Sequence, residues 1–282
     1  MHTNLPPREE RSWWRDAVTY QIYIRSYADS NGDGIGDING IRSRLPYIKD
    51  LGVDCIWINP WFQSPQKDHG YDVADYMDVN TEYGTMDDAK ALIKEAHGLG
   101  IRVILDLVPN HSSDLHVWFQ AALNSEPGSK ERDRYIFRDG KGEHGELPPN
   151  NWEAVFGGPA WERVIEKDGK PGQWYLHLFA VEQPDFNWEN QEVWEHLTQL
   201  LKSEFSADFG YHLLFLKCFQ MHQVVSRLLQ MAHHLRVQRV EREALLYLSP
   251  LALLQFLRDL ALKVSPQQRF LAAHLPGQLE RF

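Results

Sequence analysis

The stretch Ile101-Arg-Val-Ile-Leu-Asp-Leu-Val108 decides the fold class, because it is apolar enough to be a strand buried on both faces. Two more strands are predicted upstream, Ala17-Val-Thr-Tyr-Gln-Ile-Tyr-Ile-Arg-Ser-Tyr27 and Val53-Asp-Cys-Ile-Trp-Ile-Asn-Pro60. Helical spacing of apolar residues predicts helices between the strands, over 38–51 and 85–99, the second opening on a capping box. Strands and helices that alternate in this way indicate a parallel sheet. Both a (β/α)8 barrel and a doubly wound sheet fit this pattern.

The composition of the 282 residues argues against several classes of partner. A net charge of −10 disfavours a surface that binds phosphates, so no nucleic-acid partner is expected. The most apolar run, Ala244–Leu257, is shorter than the ~20 residues that cross a bilayer, so no membrane partner is expected. The first residues carry no apolar stretch, and Cys55 and Cys218 match no metal spacing. We therefore expect a cytoplasmic protein with free thiols.

Tryptophan is unevenly distributed along the chain. All ten tryptophans lie between Trp13 and Trp194, and the last 88 residues contain none. Aromatic ring faces stack on the C–H faces of sugars, whereas tryptophan also fills ordinary protein cores. The tryptophan count alone leaves both interpretations open.

Two stretches interrupt the alternation of strands and helices. Residues 112–187 are polar and rich in Pro, Gly and Trp, and are too long for an ordinary connection. They are predicted to form a subdomain inserted after the third strand, at the end of the sheet where active sites form. Residues 201–282 contain 19 leucines and ten Lys/Arg against six Asp/Glu. They predict amphipathic helices, for example over 224–240 and 244–264.

The loop Asp29-Ser-Asn-Gly-Asp-Gly-Ile-Gly-Asp37 places oxygen ligands at alternate positions. Hard cations such as Ca²⁺ or Mg²⁺ need several oxygens at that spacing. The set is incomplete for an EF-hand, because Gly40 stands where a bidentate Glu is required. A solvated turn held by Asx hydrogen bonds is the alternative. The prediction is a structural cation bound by Asp29, Asn31, Asp33, the carbonyl of Ile35 and Asp37.

Polar residues also follow the second and third strands. Asp106-Leu-Val-Pro-Asn-His111 ends the third strand, and Asp68-His-Gly-Tyr-Asp-Val-Ala-Asp-Tyr76 follows the second. The carboxyl ends of parallel strands meet at one edge of a sheet, so these side chains can line one pocket. A capping aspartate and a solvated loop are the alternatives.

Taken together, the motifs resemble glycoside hydrolase family 13, in its oligo-1,6-glucosidase, α-glucosidase and trehalose-synthase branch. They occur in family order and spacing over roughly residues 12–202. The stretches that carry the resemblance are Trp14-Arg-Asp-Ala-Val-Thr-Tyr-Gln-Ile-Tyr23, Asp29–Asp37, Asp68-His-Gly-Tyr-Asp72, Asp106–His111, Asn150-Asn-Trp152, Phe156-Gly-Gly158 and Gln183-Pro-Asp-Phe-Asn187.

The resemblance implies a role for each matching residue. Asp68 would bind hydroxyls of the terminal glucose, Tyr71 would stack on its ring, and His111 would bind its 6-hydroxyl. Phe179 and Gln183 would face the same ring from the inserted subdomain. Asp106 and Asn110 would be structural. The implied ligand is a small α-glucoside or oligosaccharide, and the implied reaction is retaining hydrolysis by two carboxylic acids.

The resemblance stops where the catalytic residues are expected. The family nucleophile lies in a Gly-Phe-Arg-x-Asp strand, whereas this chain has Ser203-Glu-Phe-Ser-Ala-Asp-Phe-Gly-Tyr-His212. Asp208 is the candidate carboxylate there, but Ser206 stands in place of the arginine, and the acid-base Glu has no counterpart. No catalytic residue is assigned. The favoured hypothesis is an inactive, truncated or frame-shifted α-glucosidase. A carbohydrate- or partner-binding fragment, an active enzyme and a transporter subunit are the alternatives.

The predicted architecture is thus an α/β fragment of the (β/α)8 TIM-barrel family. Residues 1–111 form the first three βα units, 112–187 the inserted subdomain, 188–202 the start of the next barrel helix, and 203–282 an unrelated, mainly helical tail. Three units cannot close an eight-stranded barrel. The third strand is expected to leave an unpaired apolar edge, which favours aggregation.

Overall fold

The computed structural model of the chain describes Trp13, residues 17–204 and residues 213–216. Residues 17–204 and 213–216 belong to one compact unit, 14–220. The strands are β1 (Thr19–Ile22), β2 (Cys55–Ile58), β3 (Phe62–Gln63), β4 (Asp75–Val79), β5 (Arg102–Leu107), β6 (Phe137–Arg138), β7 (Trp161–Ile165), β8 (Pro171–Leu176) and β9 (Leu213–Leu216). The helices are α1 (Ile24–Tyr27), α2 (Ile38–Asp50), α3 (Met86–Gly98), α4 (Val117–Leu123) and α5 (Gln191–Glu204), with a 3₁₀ turn at Arg132–Arg134.

A parallel sheet in the order β1-β2-β5-β9 forms the centre of the unit. Cys55 pairs with Thr19 on one side and with Arg102 on the other, so all three predicted strands are present and in register. Ile22, Ile58 and Leu105 are fully buried, as expected for strands covered on both faces. The first strand is shorter than predicted, because the chain turns into α1 after Tyr23.

The two crossover helices begin at side-chain caps. Asp37 caps α2 by accepting the N–H of Gly40, and the predicted capping box of α3 is confirmed by the reciprocal bonds of Thr85 and Asp88. Arg42 of α2 forms an ion pair with Glu95 of α3 at 2.5 Å. The helices therefore lie side by side, as neighbouring crossovers of a parallel sheet do.

The prediction that the third strand leaves an unpaired edge was wrong. A fourth strand, β9, pairs parallel to β5, with Ile104 opposite Leu213 and Leu107 opposite Leu216. The residues of β9 are Leu-Leu-Phe-Leu, and a short apolar run of this kind is not told apart from a helix by its periodicity. This part of the supposed helical tail is thus a strand. The helices predicted over 224–240 and 244–264 lie outside the described residues.

Residues 112–187 contain a small sheet that the sequence analysis did not predict. Strands β6, β8 and β7 pair antiparallel, and α4 lies between β5 and this sheet in the chain. Ala160, Trp161 and Leu176 form a small core of their own there. Buried Arg132 donates to the carbonyl of Ala122 and forms an ion pair with Glu166, which ties α4 to the strands.

Among the described residues, none of the helices combines the length and the apolar character that crossing a bilayer requires.

Candidate functional site

The five predicted sugar-contacting residues lie together at the carboxyl ends of β2 and β5. Nε2 of Gln183 donates to Oδ2 of Asp68 at 2.8 Å, although 115 positions separate them in the chain. The same Nε2 lies 3.1 Å from Nε2 of His111. The ring of Phe179 is 4.9 Å from that of His111, whose Nε2 is also 3.1 Å from the carbonyl oxygen of Tyr71. Loops from two strands and from the subdomain therefore meet at one point.

The five side chains differ in their exposure. His111 and Gln183 are buried, whereas Asp68, Tyr71 and Phe179 are half-buried. The site therefore has a buried polar floor and a half-exposed rim of one carboxylate and two aromatic rings. Rims of this kind offer hydrogen-bonding and stacking groups to a small polar ligand.

The backbone around Asp68 is held by the buried carboxylate of Asp72. Its oxygens accept the N–H groups of Lys67 at 2.8 Å and Asp68 at 3.0 Å, and the hydroxyl of Ser64 at 2.9 Å. A carboxylate that accepts several such bonds is strongly held in place. The loop that carries Asp68 is thus fixed before any ligand arrives.

The same loop contains unusual backbone conformations. Gln66 and His69, on either side of Asp68, have φ values of 63° and 51°, in the left-handed region that few non-glycine residues adopt. Gly70 follows with a φ of 99°, and a Cβ atom there would lie 2.8 Å from the carbonyl oxygen of Pro60. Strained backbone of this kind persists only where the surroundings impose it, and it concentrates at functional sites.

The phenol hydroxyl of Tyr71 is held in place by Asp106. Its hydroxyl donates to Oδ2 of Asp106 at 2.6 Å and accepts from Nδ2 of Asn59 at 2.7 Å. The other oxygen of Asp106 accepts from Nε1 of Trp57 at 2.7 Å. Burial, with the charge of Asp106, raises the pKa of Tyr71 well above its usual value, so the phenol stays neutral. The ring is therefore oriented from its hydroxyl end, and Asp106 serves as a support.

The contacts of His111 define which ring nitrogen carries the proton. A backbone carbonyl can only accept, so the 3.1 Å contact to the oxygen of Tyr71 requires a proton on Nε2 of His111. Nδ1 then accepts from Nδ2 of Asn110 at 3.1 Å. The ring is therefore neutral, with its Nε2–H directed to the carbonyl of Tyr71. In this tautomer the 3.1 Å contact between Nε2 of Gln183 and Nε2 of His111 joins two donors and is not a hydrogen bond.

The predicted metal loop, Asp29–Asp37, is held by hydrogen bonds of its own. Asp29 accepts the N–H groups of residues 31, 32 and 34, and Asp33 accepts that of Ile35. Asp37 accepts from Ser30 and caps α2. Within the described part of the chain, no three His, Cys, Asp or Glu side chains are gathered in a way that holds a metal ion. The oxygen-rich donor set suits a hard cation by its chemistry, and the cation stays a prediction.

Asp106 was expected to be structural, but several other residues that support the site were not predicted from the sequence. Asn59 and Trp57 lie at the end of β2, and Asp72 and Asp185 are fully or almost fully buried. Asp72 and Asp185 both stand inside motifs that carry the resemblance, but a motif does not show which of its carboxylates is buried. Asp208, the candidate nucleophile, lies outside the described residues.

Comparison with known proteins identifies the family. Residues 21–210 match the family described as "Alpha amylase, catalytic domain". The chain belongs to the α-amylase family. It is 54% identical over 184 residues to a probable oligo-1,6-glucosidase 3 of Bacillus subtilis (strain 168), a match that covers 65% of this chain and 32% of that protein. It is 49% identical over 208 residues to the trehalose-6-phosphate hydrolase of Escherichia coli (strain K12), covering 74% and 35%.

Solved structures of this α-amylase family agree with the fold. Trehalose-6-phosphate hydrolase of Bacillus licheniformis matches with a TM-score of 0.66 and 47% identity, over 72% of this chain and 35% of that one. A mutant of the trehalulose synthase MutB, in complex with sucrose, matches with a TM-score of 0.67 and 45% identity, over 73% of this chain and 35% of that one. Another MutB mutant was solved with glucose. The resemblance to the oligo-1,6-glucosidase branch of glycoside hydrolase family 13 is thus confirmed, and the chain spans about a third of the length of these relatives.

Proposed function

We propose that the site at Asp68, Tyr71, His111, Phe179 and Gln183 binds the terminal glucose ring of an α-linked glucoside, and that this 282-residue chain does so without hydrolysing it. The observation that carries the proposal is the hydrogen bond from Gln183 to Asp68, which joins the subdomain to the loop after β2 beside two aromatic rings. Family membership supports a sugar as the ligand.

The chemistry of the rim suits a sugar ring. A carboxylate such as that of Asp68 accepts hydrogen bonds from neighbouring hydroxyls, and charge-assisted bonds of this kind are the strong ones. The faces of Tyr71 and Phe179 suit the apolar C–H faces of a pyranose. A neutral ligand also fits a protein whose net charge is −10.

Ligand binding requires an exchange of hydrogen bonds. In the described site, Gln183 occupies one oxygen of Asp68, and the Nε2–H of His111 is directed to the carbonyl of Tyr71. A sugar hydroxyl gains these partners by replacing the internal bonds, so each contact contributes only its net difference. The expected affinity of the chain for a monosaccharide unit is therefore weak, on the order of millimolar.

Turnover needs two carboxyl groups, about 5 Å apart in a retaining enzyme. Asp72 holds the loop backbone and Asp106 holds Tyr71 and Trp57, so both act as supports. Asp68 is proposed to bind sugar hydroxyls, which leaves no pair of carboxyl groups assigned to the reaction. The proposal therefore includes no hydrolysis by this chain.

Titration with isomaltose, maltose and trehalose, followed by ligand-observed NMR, tests the binding. We expect affinity for at least one disaccharide, weakened at least tenfold in Asp68→Ala and in His111→Ala, since each loses a hydrogen bond to the sugar. Asp168→Ala, an exposed aspartate paired with Lys170 in the β7–β8 turn, is the matched control and should bind like the wild type. Equal affinity of all four proteins would contradict the site assignment.

Activity is tested separately with p-nitrophenyl α-glucoside. The expected result is no release of p-nitrophenol above a heat-killed control, because no reactive pair of carboxyl groups is assigned. Release that disappears on substitution of Asp208 would instead support the active enzyme.

We also propose that the Asp29–Asp37 loop binds Ca²⁺ or Mg²⁺ as a structural ion, supported by its alternate oxygen ligands. Calorimetric titration of the chelator-treated protein with Ca²⁺ should show binding that Asp33→Ala abolishes. Heats no larger than those of buffer would count against this ion.

A further inference from the structure

Asp185 is a buried residue beside the proposed binding site, and its carboxyl group accepts a hydrogen bond from Asn110. It lies between Gln183 and α5, is 1% exposed, and forms an isolated backbone bridge with His111. One of its oxygens, Oδ1, accepts from Nδ2 of Asn110 at 2.9 Å and from the N–H of Leu178 at 3.4 Å. The other, Oδ2, has no hydrogen-bond partner among the described residues.

A carboxylate with an unpartnered oxygen in this environment is costly as an anion. Burial raises the pKa of Asp185 well above its usual range, and the bonds from Leu178 and Asn110 offset only part of that effect. Whether the group is charged or carries a proton on Oδ2, its Oδ1 accepts from Asn110. Asp185 therefore acts on Asn110 as a hydrogen-bond acceptor.

The amide of Asn110 connects Asp185 to the histidine of the site. Its Nδ2 donates to Asp185 and lies 3.1 Å from Nδ1 of His111. An amide side chain that turns over exchanges a donor for an acceptor at the same place. With Asp185 accepting, Nδ2 and not Oδ1 of Asn110 faces His111, so Nδ1 of the ring must accept and Nε2 must carry the proton.

We propose that Asp185 is a positioning residue that, through Asn110, fixes His111 in the tautomer whose Nε2–H faces the binding site. The value of this tautomer for a ligand rests on the proposed function, because Nε2–H is the donor that a sugar hydroxyl would meet. The tautomer itself does not depend on any ligand.

The test measures ring ¹⁵N chemical shifts of His111 in the full 282-residue chain, labelled on histidine and assigned with His111→Gln. Wild type should show a protonated Nε2 and an accepting Nδ1. Asp185→Asn keeps an acceptor at the same position and should keep that pattern. Asp185→Leu, of similar volume but without an acceptor, should give a mixture of tautomers. Asp168→Asn, at an exposed aspartate in the turn between β7 and β8, is the control and should leave the pattern of the wild type.

A second variant covers the case in which Asp185→Leu does not fold. Asn110→Asp replaces the donor beside Nδ1 of His111 with an acceptor, so the proton should move to Nδ1. An unchanged tautomer in Asp185→Leu or in Asn110→Asp overturns the proposal. Loss of the wild-type tautomer of His111 in Asp185→Asn also overturns the proposal, because it would mean that a charged carboxylate is needed.

Sugar titration of the same proteins separates this proposal from the proposed function. Asp185→Leu should weaken disaccharide binding by about tenfold and Asp185→Asn by far less, since only the former frees the ring. If the tautomers change as expected while the wild type binds no sugar, the positioning role stands and the proposed function fails.

Discussion

Acid should weaken this protein through His116, the residue that caps α4. Nδ1 of its ring accepts the N–H of Trp118 at 3.1 Å, and the ring is 4% exposed. Burial above all, with smaller contributions from His196 and Arg134, lowers the pKa of His116 from 6.5 to about 4. The imidazole therefore stays neutral in the folded protein at a pH where it is protonated in the unfolded chain.

The size and sign of the effect follow from proton binding. Above pH 7, His116 is neutral in both the folded and the unfolded protein, so it does not make folding stability depend on pH there. As pH falls from 6.5 to about 4, the unfolded chain binds a proton that the folded protein does not, and folding stability declines. The full difference is about 3 kcal/mol, of which about 2 kcal/mol is lost between pH 7 and pH 5.

Urea unfolding followed by tryptophan fluorescence measures this loss at pH 7 and pH 5. His116→Asn is the informative variant, because asparagine also caps helices but does not titrate. The wild type should lose about 2 kcal/mol more than the variant over this interval. His97, His177 and His196, whose pKa values are also lowered by burial, contribute to both proteins. Equal losses in the two proteins would refute the assignment to His116.

Two further predictions concern packing away from the binding site. Glu166→Ala leaves the buried guanidinium of Arg132 without its ion pair and should lower the free energy of unfolding in urea by about 3 kcal/mol. Asp168→Ala, on the exposed hairpin, should not change that free energy measurably. Gly40→Ala should lower the free energy of unfolding by about 2 kcal/mol or more, because its Cβ would lie 1.9 Å from a backbone carbonyl oxygen. Gly98→Ala, in a helix with open space around it, should leave that free energy unchanged or raise it. A Gly40→Ala protein as stable as Gly98→Ala would show that the close approach at α2 is misplaced.

The parallel sheet was predictable because each of its first three strands is recognisable from its own residues. Ile101–Val108 is apolar along its whole length, and the helices between strands begin at recognisable caps such as Thr85. Strand β9 was not predictable in the same way. Its four residues become a strand by pairing with β5, and that pairing joins positions more than a hundred residues apart. Local propensity does not contain this information.

The site shows the same division between local and distant information. Asp68, Tyr71 and His111 follow buried strands, so the parallel topology alone brings them to one edge of the sheet. Gln183 and Phe179 were placed by resemblance, since no periodicity in the sequence connects residues 112–187 to the parallel sheet. The role of Asp185 depends on which of several aspartates is buried and which atom is left without a partner. Such facts appear only when the chain is folded.

The most direct test of the proposed binding site is a crystal structure of this chain soaked with methyl α-glucoside. We expect a glucose ring between Tyr71 and Phe179, with its hydroxyls bonded to the carboxylate of Asp68 and to Nε2 of His111, and with the hydrogen bond between Gln183 and Asp68 replaced. A ring bound elsewhere on the chain, or an unchanged bond between Gln183 and Asp68 at saturating sugar, would contradict it.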